Sequence, residues 1–364
     1  MKRWLAGLLA SMLLAGCAAA ETRVYSFQTD QPPAELLDTA MAVMDGTVDI
    51  KLTFAGDCTL GGETGGGARR FARVLQREGY AYPMANLQSV FTADDLTLVN
   101  LEGVLSDAPL KKVKKQFNFL GETAYTQILT LGSVECVTLA NNHAMDYGSA
   151  GKQDTLDALD KANIAVTDEN TLCILEKDGI RVGITASVMG LNQQRFLRQA
   201  EVLRNLGCAA IVHVMHMGQE YAQQPTAGQT KTARFLAQQG VTLVVGHHPH
   251  VVQGLEQIEN TLVAYSMGNC VFGGNADPED TDACLLGATL RFSEGALQET
   301  QATIWPIRTS GDARSNDYQP LLLTGSEAAR VVDKIQSRSV MTLAPYRDGE
   351  GAVQTGMKQT EVEQ

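Results

Sequence analysis

From residue 48 onward, short apolar runs alternate with amphipathic stretches. The runs at 48–55, 96–100, 134–140, 172–176, 180–186, 208–215, 241–245 and 262–267 are brief and rich in β-branched residues, and several stop at Gly, Asn or His, so they predict strands. Between them, 68–79, 122–131, 152–163, 193–205 and 230–239 predict helices, with apolar positions such as Phe71, Val74 and Leu75, or Leu156 and Leu159, on one face. The runs 284–292 and 297–307, joined through Ser293-Glu294-Gly295, predict a hairpin. Past about residue 310 the chain turns polar, with one amphipathic helix predicted at 327–337 and a disordered end from Asp348. There is no internal repeat. Strands alternating with helices, plus β-rich additions, predict an α/β fold.

The first residues follow another pattern. Met1-Lys2-Arg3 is basic, 4–14 is apolar but too short to span a bilayer, and Leu14-Ala15-Gly16-Cys17 follows at once. A charged start and a short apolar stretch make an export signal. The Leu-Ala-Gly-Cys ending resembles the lipobox of bacterial lipoproteins, in which the signal is cut before a cysteine that takes the lipid. On this reading residues 1–16 are the signal, Cys17 is lipidated, and the protein is extracytoplasmic and lipid-anchored to the cell membrane. An ordinary secretory signal is the alternative. Residues 17–47, with Gln31-Pro32-Pro33 and a short helix expected at 34–43, would be a tether.

Composition narrows the partners. Over 364 residues the net charge is −12, which argues against nucleic acid as a ligand. The six cysteines beyond Cys17 (Cys58, Cys136, Cys173, Cys208, Cys270, Cys284) form no C-x-x-C pair, and most sit singly inside apolar runs. An even number outside the cytosol invites disulfides, but mostly free, buried thiols are expected, and not a zinc knuckle.

The chemistry collects where strands stop. Asp57 ends one run and Glu102 another; Asn141-Asn142-His143 with Asp146 follows a third; His216 with Glu220 follows a fourth. Gly246-His247-His248-Pro249-His250 follows a fifth and holds three of the six histidines. Strand ends are where an α/β sheet presents its ligand-binding residues. In an extended segment His248 and His250 point the same way and His247 the other. His213 has the opposite strand parity to His216 and reads as a core histidine or one in the layer behind the site. All the donors are oxygen or nitrogen, the profile of Mn²⁺, Fe²⁺ or Zn²⁺. Two ions about 3.5–4 Å apart, bridged by a carboxylate, are the usual arrangement for attack on phosphorus. Asn100, Asn141 and Asp146 are available to orient the ligands. The plain alternative is a set of polar loops that cap turns and helices. Lys111-Lys112-Val113-Lys114-Lys115 reads as a solvated edge, or as a guide for an anionic polymer. The glycine-dense 61–67 lacks a P-loop ending and reads as a flexible lip.

Six blocks, in order, resemble the CapA family, named for poly-γ-glutamate capsule synthesis, whose domain belongs to the calcineurin-like metallophosphoesterase superfamily. They are Phe54-Ala55-Gly56-Asp57, Asn100-Leu101-Glu102-Gly103, Ala140 through Gly148, His216 through Tyr221, Gly246 through Gln253, and Tyr265 through Phe272. The resemblance implies a four-layer α/β/β/α sandwich of the metallo-dependent phosphatase type over 48–310, with 311–364 as a C-terminal extension. It implies one or two divalent ions held by Asp57, Glu102, Asn142, His216, His248 and His250, with Glu102 as the bridging carboxylate. His143, with Asp146 beside it, would protonate the leaving group, and Asn141, Glu220, Tyr221, Gln253 and Asn269 would line the pocket. Three positions depart from the superfamily pattern: Cys58-Thr59 follows Asp57 without the histidine of Asp-x-His, Glu102 replaces an aspartate, and Met217 replaces a tryptophan. Two functions follow. One is a metal-dependent hydrolase of a phosphoester or γ-glutamyl bond. The other is a non-catalytic accessory protein that binds an anionic envelope polymer, or its precursor, and a membrane-bound polyglutamate synthase complex.

Overall fold

The alternation of apolar runs and amphipathic stretches folds into two large mixed sheets with helices packed against them, a mixed α/β architecture. The computed structural model describes residues 22–37, 46–312 and 315–358. Cys17, the expected signal and positions 38–43 of the expected short helix lie outside these residues.

One sheet runs in the order Arg23–Gln28, Thr171–Lys177, Ile180–Val188, Cys208–His216, Leu243–His247, Thr261–Ala264, Leu255–Ile258. Its four strands from Ile180–Val188 to Thr261–Ala264 are mutually parallel. The other is ordered Leu321–Leu322, Ala296–Arg308, Asp282–Ser293, Thr47–Thr59, Leu96–Leu101, Cys136–Thr138, Ala165–Thr167, and its last four strands are parallel. Asn269–Phe272 adds in parallel to Thr47–Thr59. The predicted hairpin is present as the long antiparallel pair Asp282–Ser293 and Ala296–Arg308.

Period-2 alternation sorts the apolar side chains. Leu52, Phe54 and Leu98 of one sheet join Val212, Val214, Leu243 and Val245 of the other in a single buried cluster. Their sequence neighbours turn the other way. Ala55, Val99 and Val137 pack with Phe71, Leu75, Ile128 and Leu159 from helices. Ile211, Met215 and Val244 pack with Phe196, Leu203 and Leu236 from other helices. Each parallel strand is therefore buried on both faces, which is why it reads as a nearly continuous apolar run.

Two expectations change at the ends of the chain. Arg23–Gln28, inside the stretch expected as a tether, is an edge strand paired antiparallel with Thr171–Lys177. Beyond Asp348, Ala352–Lys358 pairs with Ala296–Arg308. The helix expected at 327–337 is Gly325–Gln336, and it buries Ala328, Val331, Val332 and Ile335. All six described cysteines are free, as expected, and Cys136 and Cys173 touch at Sγ–Sγ 3.8 Å.

The run expected at 262–267 leaves its sheet after Ala264, crosses as Tyr265-Ser266-Met267-Gly268, and enters the other sheet at Asn269. This crossing lies hard against two glycines. A Cβ on Gly246 would sit 1.9 Å from the Tyr265 carbonyl oxygen, and one on Gly56 would sit 2.0 Å from that of Gly268. Gly56→Ala forces backbone apart beside Asp57, so denaturant unfolding should show a loss of at least about 2 kcal/mol.

The C-terminal helix is clamped by charge. Asp282 lies 2.6 Å from Arg330 and 2.7 Å from Lys334, and Lys334 also reaches Asp280 at 2.8 Å. Burial alone would raise the Asp282 carboxyl, but hydrogen bonds from Arg330 and Lys334 bring it down to about 2. A lowered carboxyl stabilises the fold above its ordinary value of 3.8 and loses that contribution as the pH falls towards 2. Asp282→Asn should cost about 1 kcal/mol at pH 7, discounted for the solvent around Arg330, and should flatten the acid limb of a urea-unfolding series.

Candidate metal centre

The parallel strands of both sheets end at one place. Asp57, near the end of Thr47–Thr59, pairs in register with Asn100, and Glu102 follows just beyond Leu96–Leu101. Asn141, Asn142 and His143 follow Cys136–Thr138. His216 and His247 close Cys208–His216 and Leu243–His247 and pair in register. Asp57, Asn100, Glu102, His216 and His247 are all fully buried.

Asp57 is bonded on both oxygens. Oδ1 accepts from Asn100 Nδ2 at 2.7 Å and lies 3.3 Å from His247 Nδ1. Oδ2 accepts from the His248 backbone N–H at 3.2 Å and lies 3.1 Å from His250 Nδ1. Burial opposes ionisation, yet His247 and His250 hold this carboxyl well below the usual range. Burial works against charge on His250 too, but Glu102 and Asp57 lift it to about 10, and Asn269 Oδ1 accepts from the ring at 2.9 Å. His216 is pushed the other way by burial and is neutral. Its Nδ1 lies 3.1 Å from Asn100 Nδ2 and its Nε2 2.7 Å from Asn142 Oδ1.

Glu102 is different. Both carboxylate oxygens are buried without a hydrogen-bond donor among the described residues. The nearest imidazole nitrogens, His216 Nε2 and His143 Nε2, are 3.7 and 3.9 Å away. Burial, with Asp57, Asp146 and Glu220 adding to it, raises the carboxyl to about 8. A dry, unpaired carboxylate either keeps a proton or faces a cation. Asp57, Glu102 and His250 each offer a donor atom within 4.8 Å of the others, as do Glu220, His248 and His250. This nitrogen and oxygen set is compatible with a divalent metal.

Beside it stands a histidine–carboxylate pair. His143 Nδ1 is 2.8 Å from Asp146 Oδ2, which also accepts from the Phe119 N–H at 2.6 Å. The His143 ring stacks on Phe119 at 4.3 Å between centroids, and Lys115 contacts Asp146 while donating to the Asn142 carbonyl at 2.8 Å.

Other expected residues lie as follows. Asn141 ties the loop to Asn100 and to the Leu101 carbonyl, at 3.0 and 2.9 Å. Gln253 bonds Gln229 and the carbonyls of Ala222 and Gln224, so its amide is spent inside the protein rather than on the pocket. Asn269 positions His250. Glu220 and Tyr221 are exposed. His213 is a core histidine held by Thr185 and Ser187, as its parity implied. His247, expected to face away, turns its ring to Asp57 instead. His248 and His250 are not in an extended segment, since both have positive φ, +93° and +58°. Lys115, expected at a solvated edge, braces the 142–146 loop, and the Phe119 stack gave no sequence signal.

The family model described as bacterial capsule synthesis protein PGA_cap matches residues 51–274, which include every one of these positions. The chain belongs to this family. The PGA biosynthesis protein CapA of Bacillus subtilis (strain 168) is 25% identical over 315 residues, spanning 78% of this chain and 80% of that one. The capsule biosynthesis protein CapA of Bacillus anthracis is 26% identical over 252 residues, 61% and 60% of the two chains.

If Glu102 faces a cation, Mn²⁺ at 100 times its dissociation constant should stabilise the protein by about 2.7 kcal/mol. Glu102→Gln should fold as well as wild type and lose that gain, as read by thermal melts with and without Mn²⁺.

Proposed function

We propose that this protein has a CapA-like role in capsule or poly-γ-glutamate synthesis at the cell envelope, and that its buried centre is that of a metallophosphoesterase-type hydrolase. The relatives named for PGA and capsule biosynthesis support the role. The helices packed outside each sheet support an α/β/β/α sandwich of the metallo-dependent phosphatase type. The lipobox-like ending at Cys17 supports an extracytoplasmic, lipid-anchored location. The observation that carries the hydrolase reading is the buried Glu102 carboxylate, left without a hydrogen-bond donor among the described residues.

Asp57, Glu102, Asn142, His216, His248 and His250 would hold one or two ions of manganese, iron or zinc. Such an ion supplies positive charge that polarises the scissile phosphoryl or acyl oxygen. The chain's own residues supply the rest. The Asp146 carboxylate accepts from His143 Nδ1 and leaves Nε2 on the Glu102 side, where it can give a proton to a departing oxygen or nitrogen. Phe119 and Lys115 hold that pair in place. The bond cleaved would be a phosphoester or a γ-glutamyl amide.

A second reading is favoured by Asp57, whose oxygens are already satisfied by Asn100, the His248 N–H and His250. Two residues after it, Thr59 is buried where the superfamily has a histidine. On that reading the pocket binds an anionic envelope polymer or its precursor, next to a membrane-bound polyglutamate synthase complex, without turnover.

Metal analysis of the purified protein and hydrolysis of bis-p-nitrophenyl phosphate and of γ-glutamyl oligomers separate the two. The hydrolase reading expects metal to co-purify and His143→Ala to lower kcat by at least about 100-fold. Equal hydrolysis by wild type and variant, with no metal bound, leaves the accessory role.

A further inference from the structure

The mouth of the centre carries an unusual surface. Val113, Phe117, Met145, Met189 and Tyr221 are five of the nine exposed large apolar side chains among the described residues, with exposures between 38% and 60%. Each is tied to the site through backbone. The Val113 N–H donates to the Asp146 carbonyl at 2.9 Å, and Phe117 and Met145 stand two residues and one residue from Phe119 and Asp146. The Met189 N–H donates to the His216 carbonyl at 2.8 Å and that of Tyr221 to Pro249, also at 2.8 Å. Tyr221 and His250 have ring centroids 6.4 Å apart.

The same rim is basic. Residues 111–117 are all exposed and have no regular structure, and they put Lys111, Lys112, Lys114 and Lys115 within five positions of a chain whose net charge is −12. Of these four, Lys115 alone contacts other described residues, turning back to Asn142 and Asp146. Val113 lies between two pairs of these cations, and Phe117 follows two residues after the last.

We propose that this rim, led by the 111–117 loop with Met145 beside it, docks on the surface of an anionic phospholipid bilayer, so that the centre opens at headgroup level. An anionic polymer would reward the lysines but not the exposure of Phe117, Val113 and Met145. A bilayer rewards both, with cations among the headgroups and apolar side chains at the acyl boundary. The inference is independent of catalysis and of the lipid on Cys17. It implies that whatever the centre acts on or binds is presented at the membrane surface.

The test uses the full chain with Cys17→Ser, so that no lipid is attached. Because residues 4–14 can themselves bind vesicles, the readout is local: Phe117→Cys carries an environment-sensitive fluorophore, against a chain without that substitution. With vesicles of phosphatidylglycerol and phosphatidylcholine the emission should rise at least about twofold and shift to the blue, and with phosphatidylcholine alone it should not. Lys111→Gln, Lys112→Gln and Lys114→Gln together should abolish the response with an unchanged thermal melt. No response to the anionic vesicles overturns the proposal. An equal response to soluble poly-γ-glutamate without vesicles also overturns it and makes the loop a polymer guide.

Discussion

The centre depends on one crossing of the backbone. After Ala264 the chain leaves one sheet and within four residues joins the other, and the strand ends on either side must come close enough to touch it. Side chains cannot fit in that space, so Gly246 and Gly56 line it, and the Asp57 N–H donates to the Gly268 carbonyl at 3.0 Å. The residues just after those glycines, His247 and Asp57, are thereby delivered to each other from different sheets. The glycines before the two site residues thus serve backbone approach, not flexibility.

That proximity creates an electrostatic problem, which the histidines share out. Two carboxyls, Asp57 and Glu102, are removed from water within reach of each other. The first is ionised, since imidazole and amide donors surround it. The second has none, and repulsion from the first adds to the cost of its charge. His250, beside Asp57 and within reach of Glu102, is raised against its own burial, whereas in His216, whose ring nitrogens meet amides, burial prevails and keeps the ring neutral. Two imidazoles of one centre are thus driven in opposite directions, one by the carboxylates it faces and the other by burial.

Much of this was legible in the sequence. Parallel strands buried on both faces announce themselves as short β-branched runs, and their ends share an edge, so Asp57, Glu102, His143, His216 and the 247–250 cluster could be grouped before any coordinates. What could not be read was how the backbone turns after a strand stops. Alternation assigned His247 to the far side and His248 with His250 to the near one, but the strand ends at His247 and the chain bends at once. Lys115 sits in a run that looks solvated, and only the fold lays it across Asn142 and Asp146. The strands Arg23–Gln28 and Ala352–Lys358 were missed because edge strands pack one face and carry mixed polarity, which local pattern cannot tell from a tail.

The positive φ angles of His248 and His250 leave these two positions little freedom to vary. Their backbone favours glycine first, with asparagine, aspartate and histidine next, while both positions are used in contacts with Asp57, through the His248 N–H and the His250 ring. Drift at either position therefore trades a relaxed loop for a lost ring, so a descendant that abandoned the centre's chemistry would be recognisable by glycine or asparagine standing where these histidines are.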